Sequence, residues 1–139
     1  MDSEVERNKA IVTRFNKEAI EEGRLAAFDE LIDDSFINHT APAGMPRGRD
    51  GMIRFILDVL RPAFPDLRVE IYDQVAEGDK VVTRKAFHAT HAGTFMGVLA
   101  TGKTIRFPVI DIVRLGDGKY IEHWGIRDTH SVLQQITQS

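Results

Sequence analysis

The stretch Thr104–Asp128, TIRFPVIDIVRLGDGKYIEHWGIRD, decides the fold. Apolar and polar residues alternate on both sides of Gly116-Asp117-Gly118, the pattern of two long strands joined by a tight turn. A three-residue connection would put Gly118 where a positive φ is needed, and glycine adopts that without steric cost. Leu115 then faces Lys119, Val113 faces Ile121, Asp111 faces His123 and Val109 faces Gly125. Period-two alternation places all of these on one side of the ribbon, where Phe107 and Ile105 continue the lane. A carboxylate and an imidazole are therefore expected side by side in an apolar surface. The reverse side carries Ile110, Ile112, Trp124 and Ile126 between Arg106, Arg114, Tyr120 and Glu122. That apolar centre with charged ends suits a partner subunit rather than a pocket.

Upstream of the ribbon the period is helical. Ser3-Glu4-Val5-Glu6 has the spacing of a capping box, and Val5, Val12, Phe15 and Ala19 recur as one face of a helix that Gly23 ends. Leu25, Phe28, Leu31 and Ile32 predict a short second helix. Phe36–Thr40 is short and mixed, and Pro42, Gly44 and Pro46 make the next segment a loop. Met52, Phe55, Ile56, Val59 and Leu60 build a third helix, closed near Arg61 by Pro62 and Pro65. After Asp66 the period becomes two, giving a strand to a turn at Gly78-Asp79 and a long return from Lys80 to about His91. Asp128 is placed to cap a last short helix. Three helices followed by four mostly antiparallel strands predict an α+β domain, 1–139, in which helices cover one face of a curved sheet and leave an interior between the layers.

At 139 residues the chain is long enough to bury a core without staples, and it has no cysteine, which excludes thiolate nucleophiles and zinc–thiolate sites. A net charge of −3 with both signs interspersed argues against nucleic acid, which requires a concentrated basic patch. No apolar run reaches a membrane span, and the acidic start Met1-Asp2-Ser3-Glu4 lacks an apolar leader core, so a cytoplasmic protein that meets no membrane is expected.

Two readings of Asp111 and His123 stand at this level. A carboxylate beside an imidazole in an apolar setting favours the imidazolium while burial opposes both charges, which makes a proton-transfer pair. The same two groups also make a structural ion pair that closes a polar gap between strands. His88 and His91, three apart in a strand, point to opposite faces and no acid completes a ligand set, so no metal is expected. His39, beside the Pro/Gly loop, either rims a pocket mouth or has no role. Phe107 and Met96 wall a pocket or a core. No phosphate-binding loop and no nucleophile elbow occur.

Several segments in order carry a resemblance: Asp34–His39, Gly48-Arg49-Asp50-Gly51, Phe64-Pro65-Asp66-Leu67, Gly78–Val81, Thr90–Gly97, Thr101-Gly102-Lys103, Asp117-Gly118-Lys119 with Glu122-His123-Trp124, and Leu133-Gln134-Gln135. With them the chain resembles the SnoaL-like polyketide cyclase or ester cyclase family, within the superfamily named after nuclear transport factor 2. The resemblance implies a cone-shaped α+β barrel, a homodimer through the outer sheet face, and a deep pocket for a small hydrophobic ligand. It also implies ring closure by an intramolecular aldol step without metal or cofactor, an acidic residue removing a proton α to a carbonyl. In those cyclases the catalytic carboxylate directly follows the residue matched by Trp124, and here that position is Gly125. Either Asp111 has taken over the acid/base role, or the chemistry differs or is absent. The leading expectation is a general acid/base enzyme acting on a small carbonyl or ester compound, with Asp111 as base, His123 orienting it or donating to the oxyanion, and His39, His91, Phe107 and Gly125 against the ligand. A binding protein that lost the acid is the second expectation. The third is a hydrolase resembling limonene epoxide hydrolase, with Asp73 and Arg84 facing each other in an Asp-Arg-Asp set.

Overall fold

The computed structural model describes residues 3–138; Met1 and Asp2 of the acidic start lie outside them. Asp117 and Gly118 have φ values of 49° and 77°. Two successive left-handed residues form a two-residue type I′ turn, the tightest hairpin connection and one for which Asp-Gly is a preferred pair. The ribbon therefore closes one residue tighter than a Gly-Asp-Gly loop requires: Gly116 pairs with Lys119 and Leu115 with Tyr120. Ile121 then bulges, so Arg114 pairs with Glu122, Val113 with His123 and Asp111 with Gly125. This corrects the expected register. Turn and bulge each shift the pairing by one residue, and the shifts add, so residues beyond the bulge keep their expected face while their partners move by two. Tyr120 lies before the bulge and, contrary to expectation, turns inward, where it is buried.

Five strands form the sheet: β1 (Ile32–Asn38), β2 (Arg68–Glu77), β3 (Lys80–Thr90), β4 (Thr104–Gly116) and β5 (Lys119–Arg127), in the order β1-β5-β4-β3-β2. The strand missing from the four expected is β1, which runs parallel to β5 and seats Asn38 beside His123. Its first residue, Ile32, belongs to the strand rather than to the preceding helix. The sheet is curved but open, with β1 and β2 at its edges, so it does not close into a barrel.

The helices are α1 (Glu4–Arg14), continued by a π-helical segment Phe15–Glu21, then α2 (Leu25–Leu31). After the Pro/Gly loop come α3 (Arg49–Arg54), a second π-helical segment Phe55–Leu60, the turn α4 (Arg61–Ala63) and, past the sheet, α5 (Thr129–Thr137). Ser3 Oγ accepts from the Glu6 amide at 3.1 Å, one half of the capping box, and Asp128 caps α5 by accepting from the Ser131 amide at 3.0 Å. Val12, Phe15, Phe28, Ile56 and Leu60 pack from the helices against Val81, Phe87, Phe107 and Val113 of the sheet. No described helix is long and apolar enough to cross a membrane.

Candidate active site

Alternation along three neighbouring strands sends Lys85 (β3), Asp111 (β4) and His123 with Gly125 (β5) to the helix-covered face of the sheet. There they line a cavity walled by Phe15, Ile56, Leu60 and Val109. Its volume is about 60 Å³. An apolar cavity of about 150 Å³ admits benzene, so an aromatic ligand enters only when a wall moves. Met52 and Phe55 form part of that wall, and methionine is the side chain that repacks most readily.

Lys85 is the residue that sequence reading missed. Its ammonium, with only 3 % of the side chain exposed, donates to Asn16 Oδ1 at 2.6 Å and to Asp111 Oδ2 at 3.1 Å. A buried ammonium persists where a carboxylate compensates it, and Asp111 does so here. The signal lay in the β3 lane Val81-Thr83-Lys85-Phe87-Ala89, where one lysine stands among inward-facing residues. Asn16 was hidden the same way, as an amide on the buried stripe of the first helix.

The register change makes Asp111 and His123 diagonal neighbours rather than direct partners, with His123 Nε2 at 3.4 Å from Asp111 Oδ2. The other ring nitrogen, Nδ1, lies 2.9 Å from Asn38 Oδ1. The Thr40 backbone amide donates to that same oxygen at 3.1 Å, which identifies the atom as an acceptor and requires Nδ1 to carry a proton. Nε2 is thus the nitrogen left for proton transfer. At 3.4 Å it is not locked to the carboxylate, since charge-assisted bonds close to about 2.8 Å.

Burial pushes the Asp111 carboxyl up, but the Lys85 ammonium and His123 outweigh it and hold the carboxyl down at about 2. Asp111 is therefore an anion throughout the neutral range. Its Oδ1 is buried without a hydrogen-bond partner among the described residues. Burial, reinforced by the Asp111 charge, pushes the Tyr120 hydroxyl well above its ordinary value, so it stays a donor facing the cavity.

Gly125 is the reason the imidazole fits. A Cβ at this position would lie 2.9 Å from His123 Cε1, 3.2 Å from Nε2 and 3.4 Å from Asp111 Cβ. The ring tip thus fills the space that any side chain at residue 125 would enter. Gly125→Ala is expected to swing His123 off Asp111 while preserving the fold. Nuclear magnetic resonance of the ring nitrogens would show it, with unchanged His123 signals contradicting the account.

The remaining sequence candidates lie elsewhere. His39 was expected at the pocket rim, but it sits on the outer face, stacked on Trp124 at 4.7 Å and paired with Glu122 at 2.7 Å. Strand parity at the end of β1 sends Asn38 and Thr40 inward instead. His91 was expected against the ligand; it is fully buried at the far end of β3, held by Thr101 Oγ1 at 2.9 Å, and does not line the cavity. Phe107 lies one layer beyond, packed edge-on to Phe87 and Phe95 in the core. Asp73 and Arg84 do pair in the expected register, at 2.9 Å, but both are more than half exposed and outside the cavity, because Arg84 alternates with the inward-facing Thr83 and Lys85. The hydrolase expectation loses its residues with them. No cluster of metal-ligating side chains occurs among the described residues.

An open α+β sheet covered by helices, enclosing an apolar cavity with a buried lysine and aspartate and a partly buried histidine, defines an architectural class. Within it the chain belongs to the SnoaL-like polyketide cyclase family, whose profile matches residues 10–136. It is similar to a structure from Jannaschia sp. assigned as a SnoaL-like polyketide cyclase, at 26 % identity over 100 % of this chain and 97 % of that one, with a TM-score of 0.85. IdmH from Streptomyces antibioticus, assigned as a polyketide cyclase, is 32 % identical over 94 % of this chain and 99 % of its own, with a TM-score of 0.80. AclR from Streptomyces galilaeus, assigned as a hydroxylase, is 26 % identical over 93 % and 80 %, with a TM-score of 0.81. No curated protein matches the chain.

Proposed function

We propose that this protein is a cofactor-independent, polyketide-cyclase-like enzyme that enolises a small hydrophobic carbonyl compound by general acid/base catalysis. The observation that carries the reading is the buried Lys85–Asp111 pair, with the partly buried His123 beside it, at the floor of an apolar cavity. Such a cluster is costly to bury and is more useful for chemistry than for packing.

The roles differ from those expected of the sequence. A carboxylate held at about 2 accepts a proton poorly, so Asp111 is the weaker candidate base. His123 Nε2 takes the proton from the carbon α to the carbonyl, and Asp111 stabilises the imidazolium that results. The enolate oxygen lies toward the Lys85 ammonium, two of whose three N–H groups are engaged, and the Tyr120 hydroxyl supplies a neutral donor. The enolate carbon then attacks a second carbonyl of the same molecule, a C–C bond forms, and the alkoxide recovers its proton from His123.

Exchange of the methyl protons of acetophenone with deuterium oxide, followed by nuclear magnetic resonance, tests the first step without knowledge of the natural substrate. Exchange well above the buffer rate is expected. Binding of acetophenone without exchange would instead support the binding-protein reading.

The outer face supports a homodimer within the same proposal: Ile110 and Ile126 are 50 % and 79 % exposed beside Trp124. Analytical ultracentrifugation is expected to give twice the chain mass, and Ile126→Glu to shift it to monomer; a monomeric native chain would refute the dimer.

A further inference from the structure

Arg127 lies at the cavity wall one inward position beyond Gly125, paired across the sheet with Val109. Its guanidinium rests over the Phe55 ring at 4.5 Å. It forms no ion pair and no hydrogen bond among the described residues, although it is largely withdrawn from solvent. Arg14, Arg24, Arg49, Arg84 and Arg114 each hold a carboxylate. The acid closest in the cavity offers no compensation, because Asp111 is already engaged by Lys85 and His123. Asp128, next in sequence, spends its carboxylate on the cap of α5. The cavity therefore carries two fixed cations, Lys85 and Arg127, against one fixed anion, Asp111.

We propose that Arg127 is the anion anchor of this site, so that the ligand is an apolar carbonyl compound bearing a carboxylate. A guanidinium seated over an aromatic ring spends no N–H group on that contact, and its planar fork is the donor geometry that grips a carboxylate by two parallel bonds. Burial strengthens the pairing, since a cation withdrawn from water without a partner gains most from receiving one.

The register also fixes the spacing. His123 Nε2 lies over Gly125, and Arg127 stands two residues further along the same strand face, about 7 Å away at the usual rise per strand residue. The carboxylate and the carbon that loses its proton are then separated by about the span of one aromatic ring. 4-Acetylbenzoate has that layout, with an enolisable methyl ketone para to a carboxylate, and 4-acetylbenzamide keeps the body while removing the charge.

This inference rests on the acid/base reading for its choice of probe but is tested separately by affinity. Titration calorimetry with the native chain is expected to favour 4-acetylbenzoate over 4-acetylbenzamide by tenfold or more. Arg127→Gln should abolish that preference by weakening only the acid, and Arg127→Lys should restore part of it. Equal affinities in the native chain, no detectable binding of the acid, or a loss of equal size for both probes in a folded Arg127→Gln protein would each overturn the anchor. If instead the acid binds in an Arg127-dependent way and its methyl protons exchange no faster than in buffer, the anchor stands and the enolisation reading falls. If the amide binds as tightly as the acid and its methyl protons exchange faster than in buffer, the enolisation reading stands and the anchor falls.

Discussion

Asp111→Asn is expected to unfold about 10 °C below the native chain, the largest stability effect of any conservative substitution in the cavity. The change is nearly isosteric, so the loss comes from charge. It leaves the Lys85 ammonium, which is 3 % exposed, facing neutral amide oxygens, Asn16 Oδ1 at 2.6 Å among them, with no counter-charge. Breaking a buried pair from one side costs about 3 kcal/mol or more, which at this chain length corresponds to a shift of about 10 °C. Removing both charges in Asp111→Asn/Lys85→Met should recover at least half of that, because no unpaired charge is left behind. Thermal melts of the native chain and the two variants decide the matter, and a double variant less stable than Asp111→Asn would contradict it.

The same pair contributes to the loss of stability in acid. In the folded chain the Asp111 carboxyl is held at about 2, below the value of about 3.9 that it takes in the unfolded chain. A depressed carboxyl contributes its stability above the unfolded value, so the contribution is full above about pH 5. It is lost as the pH falls through 4 toward about 2, where the folded carboxyl also gains a proton. The amount is about 2 to 3 kcal/mol, consistent with the Asn substitution, which mimics the protonated acid. Asp111→Asn should accordingly flatten the dependence of melting temperature on pH between about 5 and 2. A parallel, unflattened curve would show that Asp111 is not the group titrating.

His123→Gln is expected to slow α-proton exchange by about 10²- to 10⁴-fold, the usual worth of a positioned acid/base group. Glutamine can still meet Asn38 across β1 and β5, but it has no nitrogen that accepts a proton near Nε2. The fold should survive, since the ring is only partly buried and contributes no core contact of its own. Added imidazole should restore part of the rate in the variant. An intact rate in the folded variant would return the base to Asp111 or remove catalysis from this site.

The sequence already carried the parity of the terminal ribbon, the caps at Ser3 and Asp128, the helical stripes and the placement of Asp111 with His123 on the sheltered face. These depend on local periodicity and turn chemistry, which neighbouring residues report directly. What escaped depends on contacts between distant segments. The two-residue turn sets Tyr120 opposite Leu115 and so inward, and the bulge at Ile121, which leaves no local signature in an apolar strand, adds a second shift that moves Asp111 from opposite His123 to opposite Gly125. β1 is stabilised as a strand by β5, some 85 residues later, a pairing its mixed composition does not announce. Lys85 was legible as an inward position but not as a buried cation, since its partners Asn16 and Asp111 come from the first helix and from β4. His39 and His91 show the converse error: a histidine near a loop or a glycine looks available, while stacking on Trp124 and enclosure beside Phe64 take them out of the cavity.

The enolisation claim is tested most directly by the rate at which the native chain exchanges the methyl protons of acetophenone in deuterium oxide, set against 4-methylimidazole at the same concentration and pH. A partly buried imidazole with Asp111 behind it and two oxyanion donors ahead of it should exceed the free ring by at least about 100-fold. A rate no greater than that of 4-methylimidazole would mean that the cluster at the cavity floor is structural and that the chain does not catalyse this chemistry.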